Sequence, residues 1–491
     1  MPDYDLVIRN GRIVDGTAAP GRAGDLAVRG DRIAAVGSVP GRGAREIDAQ
    51  GSAVAPGFID VHTHDDAAVV RDPRVDFKIM QGVTTDVLGN CGAGVAPASD
   101  AFRTYYRTGM GPILGESDLP WSTTAEYFAA VEAAHPACNA VAYVPHGVLR
   151  YVVMGMEKRA PTDAELRRMC DLLDEGMRAG AIGMSTGLVY VPGAYARTDE
   201  LVELAKVAAR YGGIYGSHIR NESGGLLEAV EEAISIGERA GCGVQLSHHK
   251  SAGVFGLTER SLPLIARARE RGVDVTIDVY PYTASSSSLA AMFRLGREQA
   301  FEAAPAIIAS VKYNKERYEG KYVSEIAADL GLPIGDAIRK ILEEEENTPS
   351  VIMFIMDEAD VRRVVADDHC MAGSDGLPSE GKPHPRLYGT MPAILQKYVR
   401  DEPLLTLEEA VRKMTSLAAA KHRIKDRGVL REGWYADIVV FDPETVADAA
   451  TYQEPRQYPR GIEYVVVNGQ VAAERGRQTA ARAGCMLRRG Q

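Results

Sequence analysis

The chain has 491 residues, of which 45% are hydrophobic, and this is enough for one large domain plus a smaller one. Its formal net charge of -11, from 67 acidic against 56 basic residues, argues against a nucleic-acid or anionic-membrane partner and leaves a small molecule as the expected one.

The start of the chain, MPDYDLVIRN, lacks the basic and then apolar pattern of a secretory signal. No stretch approaches about 18 consecutive apolar residues, the length that a membrane span needs. Six cysteines are scattered along the chain without close pairing. These features predict a cytoplasmic protein.

Both ends of the chain carry the pattern of short strands joined by tight turns. DLVIRNGRIVDG places Asn10-Gly11 between two alternating apolar segments, and LAVRGDRIAAVG does the same at Gly30-Asp31. Near the other end, ADIVVFDP precedes IEYVVVNGQVAA, with Asn468-Gly469 as its turn. We therefore expect residues 1–56 and 425–491 to form one small β-sandwich domain.

The middle of the chain alternates short apolar segments with helices. One helix is marked by a capping box of Thr162 and Glu165 and ends at Gly180. The apolar segments are eight: GFIDVHTH, TTDVLGNCG, NAVAYVPHG, AIGMSTG, GIYGSHIR, GVQLSHHK, VDVTIDVYPY and CMAGSDG. This pattern predicts an α/β fold, a (β/α)8 TIM-like barrel over residues 57–424, with functional groups at the C-terminal ends of the strands.

Residues from about 290 to 365 are too many for a single crossover between the seventh and eighth strands. They contain the helix-like IRKILEEEEN and another strand-like run, VIMFIMDE. We interpret them as an insertion in the barrel, either a lid or wall of the substrate pocket or a solvated decoration.

Potential metal ligands follow several of these strands. His62 and His64 are two residues apart and share one face of a strand, although a lone His-x-His pair is weak evidence for a metal. Further candidates after other strands are Cys91, His218, His248, His249 and Asp375. On a barrel these strand ends converge, and a thiolate with imidazoles favours zinc over magnesium or calcium.

Three of these residues also have simpler interpretations. Cys91 could be a small buried residue, but it sits in a turn between Asn90 and Gly92, where packing alone explains it less well. His249 points away from the mouth if His248 points inward, so we assign it no ligand role. Asp375 could merely cap its turn.

The segment Gly183–Gly187 matches the G-x-S-x-G pattern of serine hydrolases, with Ser185 as nucleophile. That nucleophile must sit on a sharp turn that leads directly into a helix. Here LVYVPGAY follows, and Pro192 and Gly193 make a helix start unfavourable. The serine-hydrolase interpretation is therefore the weaker one.

Taken together, HTHDD, GNCG, SHIRNE, LSHHK, YPYTASSS, GSDG and HPRLYGT resemble the N-acyl-D-amino-acid deacylases (D-aminoacylases) of the amidohydrolase superfamily. The resemblance covers nearly the whole chain. It implies a tightly held zinc on Cys91, His218 and His248, with His62 and His64 at a second position that is weaker or empty. AIGMSTG has no lysine, the residue that is carbamylated in relatives such as dihydroorotases, so a thiolate bridge or a single zinc would replace it.

The resemblance also implies the roles of the remaining site residues. Asp375 would take the proton of the attacking water and pass it to the leaving amine, because an amide anion is too basic to leave. The residues expected around the substrate carboxylate are Tyr190, Lys250, Tyr282, Arg386 and, unless it belongs to a plain loop, Ser287. For the substrate side chain, Arg294 and the apolar pair Met292 and Phe293 remain alternative contacts.

The function expected from these observations is zinc-dependent hydrolysis of N-acyl-D-amino acids to a carboxylate and a D-amino acid. A cyclic-amide hydrolase of the dihydropyrimidinase type is the alternative within the same fold, but it would normally need the missing lysine. A non-catalytic scaffold would require a lost ligand, and none is lost. The D configuration rests on the resemblance alone, and the sequence indicates no oligomeric state.

Overall fold

The computed structural model describes residues 2–294 and 298–490, without the side chains of residues 294, 298 and 299. The strands are β1 (Tyr4–Ile13), β2 (Arg22–Arg29), β3 (Arg32–Gly37), β4 (Gly43–Asp48), β5 (Ala53–Pro56), β6 (Phe58–Asp60), β7 (Val83–Leu88), β8 (Asn139–Ala142), β9 (Val144–Pro145), β10 (Gly183–Gly187), β11 (Ile214–His218), β12 (Val244–Leu246), β13 (Val275–Val279), β14 (Ser285–Ser288), β15 (Ala306–Ser310), β16 (Ser350–Met353), β17 (Cys370–Ala372), β18 (Ile438–Phe441), β19 (Ile462–Val467), β20 (Gln470–Glu474) and β21 (Arg477–Gln478).

The α-helices are α1 (Ala68–Arg71), α2 (Asp76–Ile79), α3 (Asp100–Tyr105), α4 (Gly111–Leu114), α5 (Thr124–Ala134), α6 (His146–Met154), α7 (Asp163–Ala179), α8 (Thr198–Arg210), α9 (Leu226–Ala240), α10 (Thr258–Glu270), α11 (Leu289–Arg294), α12 (Glu298–Ala303), α13 (Lys315–Tyr318), α14 (Val323–Leu330), α15 (Ile334–Glu344), α16 (Glu358–Ala366), α17 (Arg386–Ile394), α18 (Leu407–Met414) and α19 (Ser416–Lys421). Short 3-10 turns cover Asn90–Gly92 and Gly193–Tyr195, and π-helical turns cover Tyr106–Met110 and Leu395–Asp401.

All eight predicted barrel segments contain strands, and these strands form a parallel barrel. One arc runs in the order β17-β13-β12-β11-β10-β9, and the other in the order β6-β7-β8. β8 and β9 are one strand interrupted at Tyr143, whose amide donates to Leu88. The arcs also meet where the amide of Val61 donates to Ala372, so β6 lies beside β17 and the barrel closes.

Helix ends follow the predicted chemistry. Thr162 caps α7, and its side chain accepts from the amide of Glu165 while the Glu165 side chain binds the amide of Thr162. Gly180 ends this helix with a φ of 111°, in the left-handed region that favours glycine. The helices pack around the barrel and bury its outer face, so the strand ends are held in fixed positions.

The two chain ends share one nine-stranded sheet that folds over its own apolar core. Its order is β21-β20-β19-β18-β5-β1-β2-β3, and β4 pairs with β1. The turns at Gly30-Asp31 and Asn468-Gly469 join antiparallel strands, as predicted. After β21 the chain leaves this sheet and contacts the barrel, where the amide of Leu487 donates to the carbonyl of Ala140.

The hairpin predicted at Asn10-Gly11 is wrong. β1 continues through both residues. Its register with β2 shifts between Ile8 and Gly11, so Asn10-Gly11 lies at a β-bulge. Asn10 has a φ of 55°, so the Asn-Gly signal for left-handed backbone is met without a chain reversal.

The inserted segment has a small sheet and a core of its own. β14 and β15 both pair antiparallel with β16, and helices α11 to α15 pack on them. The insertion begins earlier than expected because the serine run 285–288 is its first strand. It also ends earlier, because α16 packs against the barrel.

Candidate metal centre and active site

Six potential ligands at the ends of five barrel strands meet at the mouth, and all are buried. They form two groups, in each of which one ligand atom per residue lies within 4.8 Å of the others. We call Cys91, His218 and His248 the thiolate–imidazole group. The His-x-His group consists of His62, His64, Cys91 and Asp375. Cys91 belongs to both, so two ions bound here would share its sulfur.

Cys91 is presented by a strained turn. Its φ of 54° and ψ of 26° lie in the left-handed region, which costs a non-glycine residue roughly 1 to 3 kcal/mol. The turn is held from two sides: Ser185 Oγ accepts from the amide of Gly92 at 3.0 Å and donates to the carbonyl of Gly89. Asp66 accepts from the amide of Gly89 at 2.8 Å. Ser185 is thus a structural support for the Cys91 turn, and its hydroxyl is fully engaged.

His248 and Asp375 also have positive φ values, of 34° and 50°. Like Cys91, neither is glycine, and such backbone persists only where surrounding contacts fix it. The amide of Asp375 donates to the carbonyl of His62 at 2.7 Å, and the amide of His248 donates to Asp278 at 2.8 Å. Strained backbone at three of the six residues is what a preorganised functional site shows.

The donor atoms fit a zinc ion. Cys91 Sγ lies 3.2 Å from His62 Nε2 and 3.4 Å from His248 Nε2. Burial by itself would raise the pKa of the Cys91 thiol, but His62 and His248 hold it well below its usual range, so the sulfur is a thiolate. A thiolate with imidazole nitrogens is a typical zinc donor set.

The outer nitrogens of two histidines face carboxylates, as those of metal-binding histidines usually do. His248 Nδ1 lies 3.0 Å from Glu222 Oε1, and His62 Nδ1 lies 3.3 Å from Asp278 Oδ1. At His62, a proton held on Nδ1 leaves Nε2 free to face the ion. The Nδ1 of His248 lies near Lys250 as well as Glu222. Glu222 and Asp278 are therefore part of the site.

Asp375 faces the histidines and does not cap its own turn. Its Oδ1 lies 3.2 Å from His64 Nε2, and its Oδ2 lies 3.0 Å from Arg386 Nη1. Burial would raise the pKa of Asp375, but the Arg386 guanidinium and the histidines hold it well below its usual value. The carboxylate is thus ionised and can accept a proton.

Two cations stand beside these ligands. Arg386 is fully buried, and its Nε and Nη1 have no aligned hydrogen-bond partner among the described residues. Lys250 Nζ lies 2.6 Å from Glu222 Oε1 and 2.7 Å from His248 Nδ1. Burial lowers the pKa of Lys250, but Glu222 raises it above its ordinary value, so the ammonium stays charged.

A bridge between the barrel and the insertion crosses the mouth. Tyr190 Oη lies 3.1 Å from Ser287 Oγ, and the Tyr190 ring stands 5.0 Å from the ring of His218, edge to face. Burial raises the pKa of Tyr190, so its hydroxyl keeps its proton and can donate it in a hydrogen bond. Ser287 thus lies at the site as part of β14.

Tyr282 has a different partner from the expected one. Its hydroxyl donates to Asp448 Oδ2 at 2.7 Å, a residue 166 positions further along the chain. The ring stacks edge to face on His384 at 5.3 Å. This hydrogen bond occupies the donor of the Tyr282 hydroxyl, and the expected contact of Tyr282 with the substrate carboxylate stays a prediction.

The sequence profile of the amidohydrolase family matches residues 45–473. A D-aminoacylase of Alcaligenes xylosoxydans xylosoxydans is 42% identical, over 99% of this chain and 98% of its own length. The chain belongs to the D-aminoacylase family of amidohydrolases. An N-acyl-D-glutamate deacylase of the same organism is 43% identical, over 95% of this chain and 93% of its own length.

Solved structures of family members share the fold closely. The N-acyl-D-glutamate deacylase of Bordetella bronchiseptica, solved with zinc and a phosphonate mimic of the tetrahedral intermediate, gives a TM-score of 0.92 at 42% identity, covering 99% of both chains. A D-aminoacylase described as having a binuclear metal centre, with one-metal activation and second-metal attenuation, also gives 0.92, at 40% identity and covering 99% of this chain and 100% of its own.

The remaining predictions concern neighbouring residues. His249 is in neither ligand group, and its Nε2 lies 2.8 Å from Ser261 Oγ, so it points away from the mouth as expected. Met292 and Phe293 pack in the core of the insertion. The side chain of Arg294 lies outside the described part of the structure. Among the described helices, none combines the length and the apolar character that crossing a membrane requires.

The sequence interpretation missed Glu222, Asp278 and Asp66. Each had a weak signal, an acidic residue within or next to a motif already chosen: SHIRNE, VDVTIDVYPY and HTHDD. Their partners are distant in sequence, however, such as Gly89 for Asp66 and Lys250 for Glu222. Only the fold shows that they support ligands.

Proposed function

We propose that the protein hydrolyses the amide bond of N-acyl-D-amino acids and releases a carboxylate and a D-amino acid. The observation that carries this proposal is Cys91, whose sulfur is common to two ligand groups beside an ionised Asp375. The D-aminoacylase and N-acyl-D-glutamate deacylase relatives, similar over nearly the whole chain, supply the substrate class.

Cys91, His218 and His248 would hold the tightly bound zinc. The support is a thiolate together with His218, whose pKa is lowered by burial, so its imidazole is neutral and available as a ligand. His62 and His64 would form a second, weaker position with Cys91 and Asp375.

A zinc ion held by the thiolate–imidazole group would supply a Lewis acid for the amide carbonyl and would lower the pKa of water. Asp375 accepts the proton of the attacking water, since its carboxylate is ionised before the reaction. The protonated Asp375 then donates to the departing nitrogen. His64, 3.2 Å from Oδ1, and Arg386, 3.0 Å from Oδ2, orient the carboxylate for both transfers.

The α-carboxylate of the substrate would be bound by Arg386 and Lys250. Nη1 of Arg386 faces Asp375, but its Nε has no aligned partner in a buried position, where a carboxylate is the fitting one. Tyr190 and Ser287, joined across the mouth, add hydroxyl groups to the same pocket. A charged amino acid with a neutral acyl group fits these donors better than a cyclic amide does.

We propose a cytoplasmic location and a small-molecule partner rather than a nucleic acid or a membrane. The support is that none of the six cysteines forms a disulfide, which suits a reducing compartment.

The proposed activity is tested with purified zinc-loaded protein and paired N-acetyl-D- and N-acetyl-L-amino acids that carry acidic and apolar side chains. We expect turnover of at least one D substrate, with the matched L substrate inert. Turnover of L substrates or dihydrouracil with an inert D series would reject the proposal.

A further inference from the structure

The loop that carries Tyr190 connects the end of β10 to the start of α8. We call residues 188–197 the Tyr190 loop. Within it, the amide of Ala194 donates to the carbonyl of Tyr190 at 2.7 Å, and a single 3-10 turn covers Gly193–Tyr195. The carbonyl of Pro192 accepts from the amide of Tyr195 at 3.1 Å, and these internal hydrogen bonds leave the carbonyls of Ala194 and Ala196 to be bound by other groups.

Arg150 binds this loop from α6. Its side chain is fully buried, and its Nε donates to the carbonyl of Pro192 at 3.0 Å. Nη1 lies 3.0 Å and 2.9 Å from the two carboxylate oxygens of Glu200. Glu200 also lies 3.0 Å from His146 Nε2, so the guanidinium has a fixed orientation. Nη2 donates to the carbonyls of Glu157 and Arg159, so Arg150 joins the Tyr190 loop to the segment that follows α6.

Arg220, which follows β11, binds the same loop. Its Nη1 and Nη2 donate to the carbonyls of Ala194 and Ala196 at 3.3 Å and 3.1 Å. Its Nε and Nη2 bind Glu232 at 2.8 Å and 2.9 Å. Glu232 also accepts from Thr198 Oγ1, at 2.8 Å, where α8 begins.

Three alternate carbonyls of the loop, those of residues 192, 194 and 196, are thus bound by two arginines that are themselves fixed by glutamates. Neither arginine is among the groups described at the metal centre. The carbonyls would be satisfied equally well by water, which would leave the loop free to move. Protein donors held in place restrict the loop instead.

We propose that Arg150 and Arg220 are positioning residues that hold the Tyr190 loop so that the Tyr190 hydroxyl reaches the substrate. The proposal rests on the proposed function, because it needs Tyr190 to contact the substrate. An error of about 1 Å in the placement of a reacting or binding group can lower a rate by about 10²-fold. Removal of Arg150 should therefore reduce turnover without removing any group from the pocket.

The test is a double-mutant cycle of Arg150→Met and Tyr190→Phe in the zinc-loaded protein, with kcat and KM measured for the best D substrate. We expect Arg150→Met to lower kcat/KM about tenfold and Tyr190→Phe by at least as much. The double variant should be no worse than Tyr190→Phe, because Arg150 acts through that hydroxyl. Zinc content should stay at the unmutated level throughout.

A matched control is Arg427→Met, which removes another buried arginine that is paired with an aspartate, Asp437. It should lower the melting temperature and leave kcat/KM unchanged. If Arg150→Met does not yield folded protein, Glu200→Gln takes its place in the cycle, since it removes the charge that orients Arg150 and keeps its size. The same non-additivity is expected.

Two results would overturn the proposal, and they differ. Losses that multiply in the double variant, while Tyr190→Phe alone is impaired, would show that Arg150 does not act through Tyr190. Full activity of Tyr190→Phe would instead remove Tyr190 from the proposed substrate contacts. In that case D-selective turnover by the unmutated protein would still decide the proposed function separately.

Discussion

The two ligand groups share one sulfur but differ in the charge around their histidines. In the thiolate–imidazole group, burial lowers the pKa of His218, whereas Asp375, Glu222 and Cys91 raise that of His248. In the His-x-His group, burial is outweighed by Asp375 and the Cys91 thiolate, which raise the pKa of His64 to about 9. The Cys91 thiolate and Asp278 likewise raise the pKa of His62 well above its usual value. The His-x-His motif, the most visible one in the sequence, therefore surrounds the position at which an ion must displace protons from both histidines.

The largest effect should come from Cys91→Ala, which removes the ligand common to both groups. We expect zinc at the centre to be lost and kcat/KM to fall on the order of 10³-fold or more, because a bound metal contributes several kcal/mol to such reactions. Metal analysis and turnover of a D substrate measure this. Cys138→Ala, at another buried cysteine, should retain zinc and turnover. A Cys91→Ala protein with its full zinc content would show that the two groups do not depend on the Cys91 sulfur.

Asp375→Asn should separate chemistry from metal binding. The amide keeps the size of the side chain but cannot accept a proton, so we expect turnover to fall by about 10² to 10⁴-fold while one zinc stays bound. Zinc content and kcat on the same preparation are the measurements. Normal kcat in this variant would remove Asp375 as the proton carrier.

The two groups are compared directly by His218→Ala and His62→Ala. We expect His218→Ala to lose the tightly bound zinc and most activity, whereas His62→Ala keeps that zinc and loses less activity. Each variant is dialysed against the same weak chelator before metal analysis. Equal zinc loss in both variants would mean that the ranking of the two positions is wrong.

The smallest effect concerns pH. In the metal-free protein His64 is protonated below about pH 9, and a metal needs the neutral imidazole. Affinity for the second zinc equivalent should therefore rise between pH 7 and 9, by about tenfold per pH unit for each displaced proton. Calorimetric titration at three pH values measures this, and a steeper slope for the first equivalent would reverse the comparison.

Much of the fold and ligand set follows from local pattern. The barrel strands are apolar runs that end in polar residues, and α7 is marked by its capping box, Thr162 with Glu165. These signals lie within a few residues of the element that they define. The candidate ligands were accessible for the same reason, since each lies at the end of a strand or within a few residues after it.

The rest depends on contacts between distant parts of the chain. Asn10-Gly11 supplies left-handed backbone for a bulge as readily as for a turn, and only the pairing of β1 with β2, β4 and β5 decides between them. The Tyr282 hydroxyl donates to Asp448, and the Ser185 hydroxyl accepts from the amide of Gly92 in the Cys91 turn. No local pattern contains these partners.

The most direct test of the account is zinc titration into chelator-treated protein while hydrolysis of an N-acyl-D-amino acid is followed. Activity should rise from background and reach its maximum at one equivalent, because the thiolate–imidazole group fills first. A second equivalent should add none. Activity that appears only with the second equivalent, or does not return with zinc at all, would contradict a working zinc held by Cys91, His218 and His248.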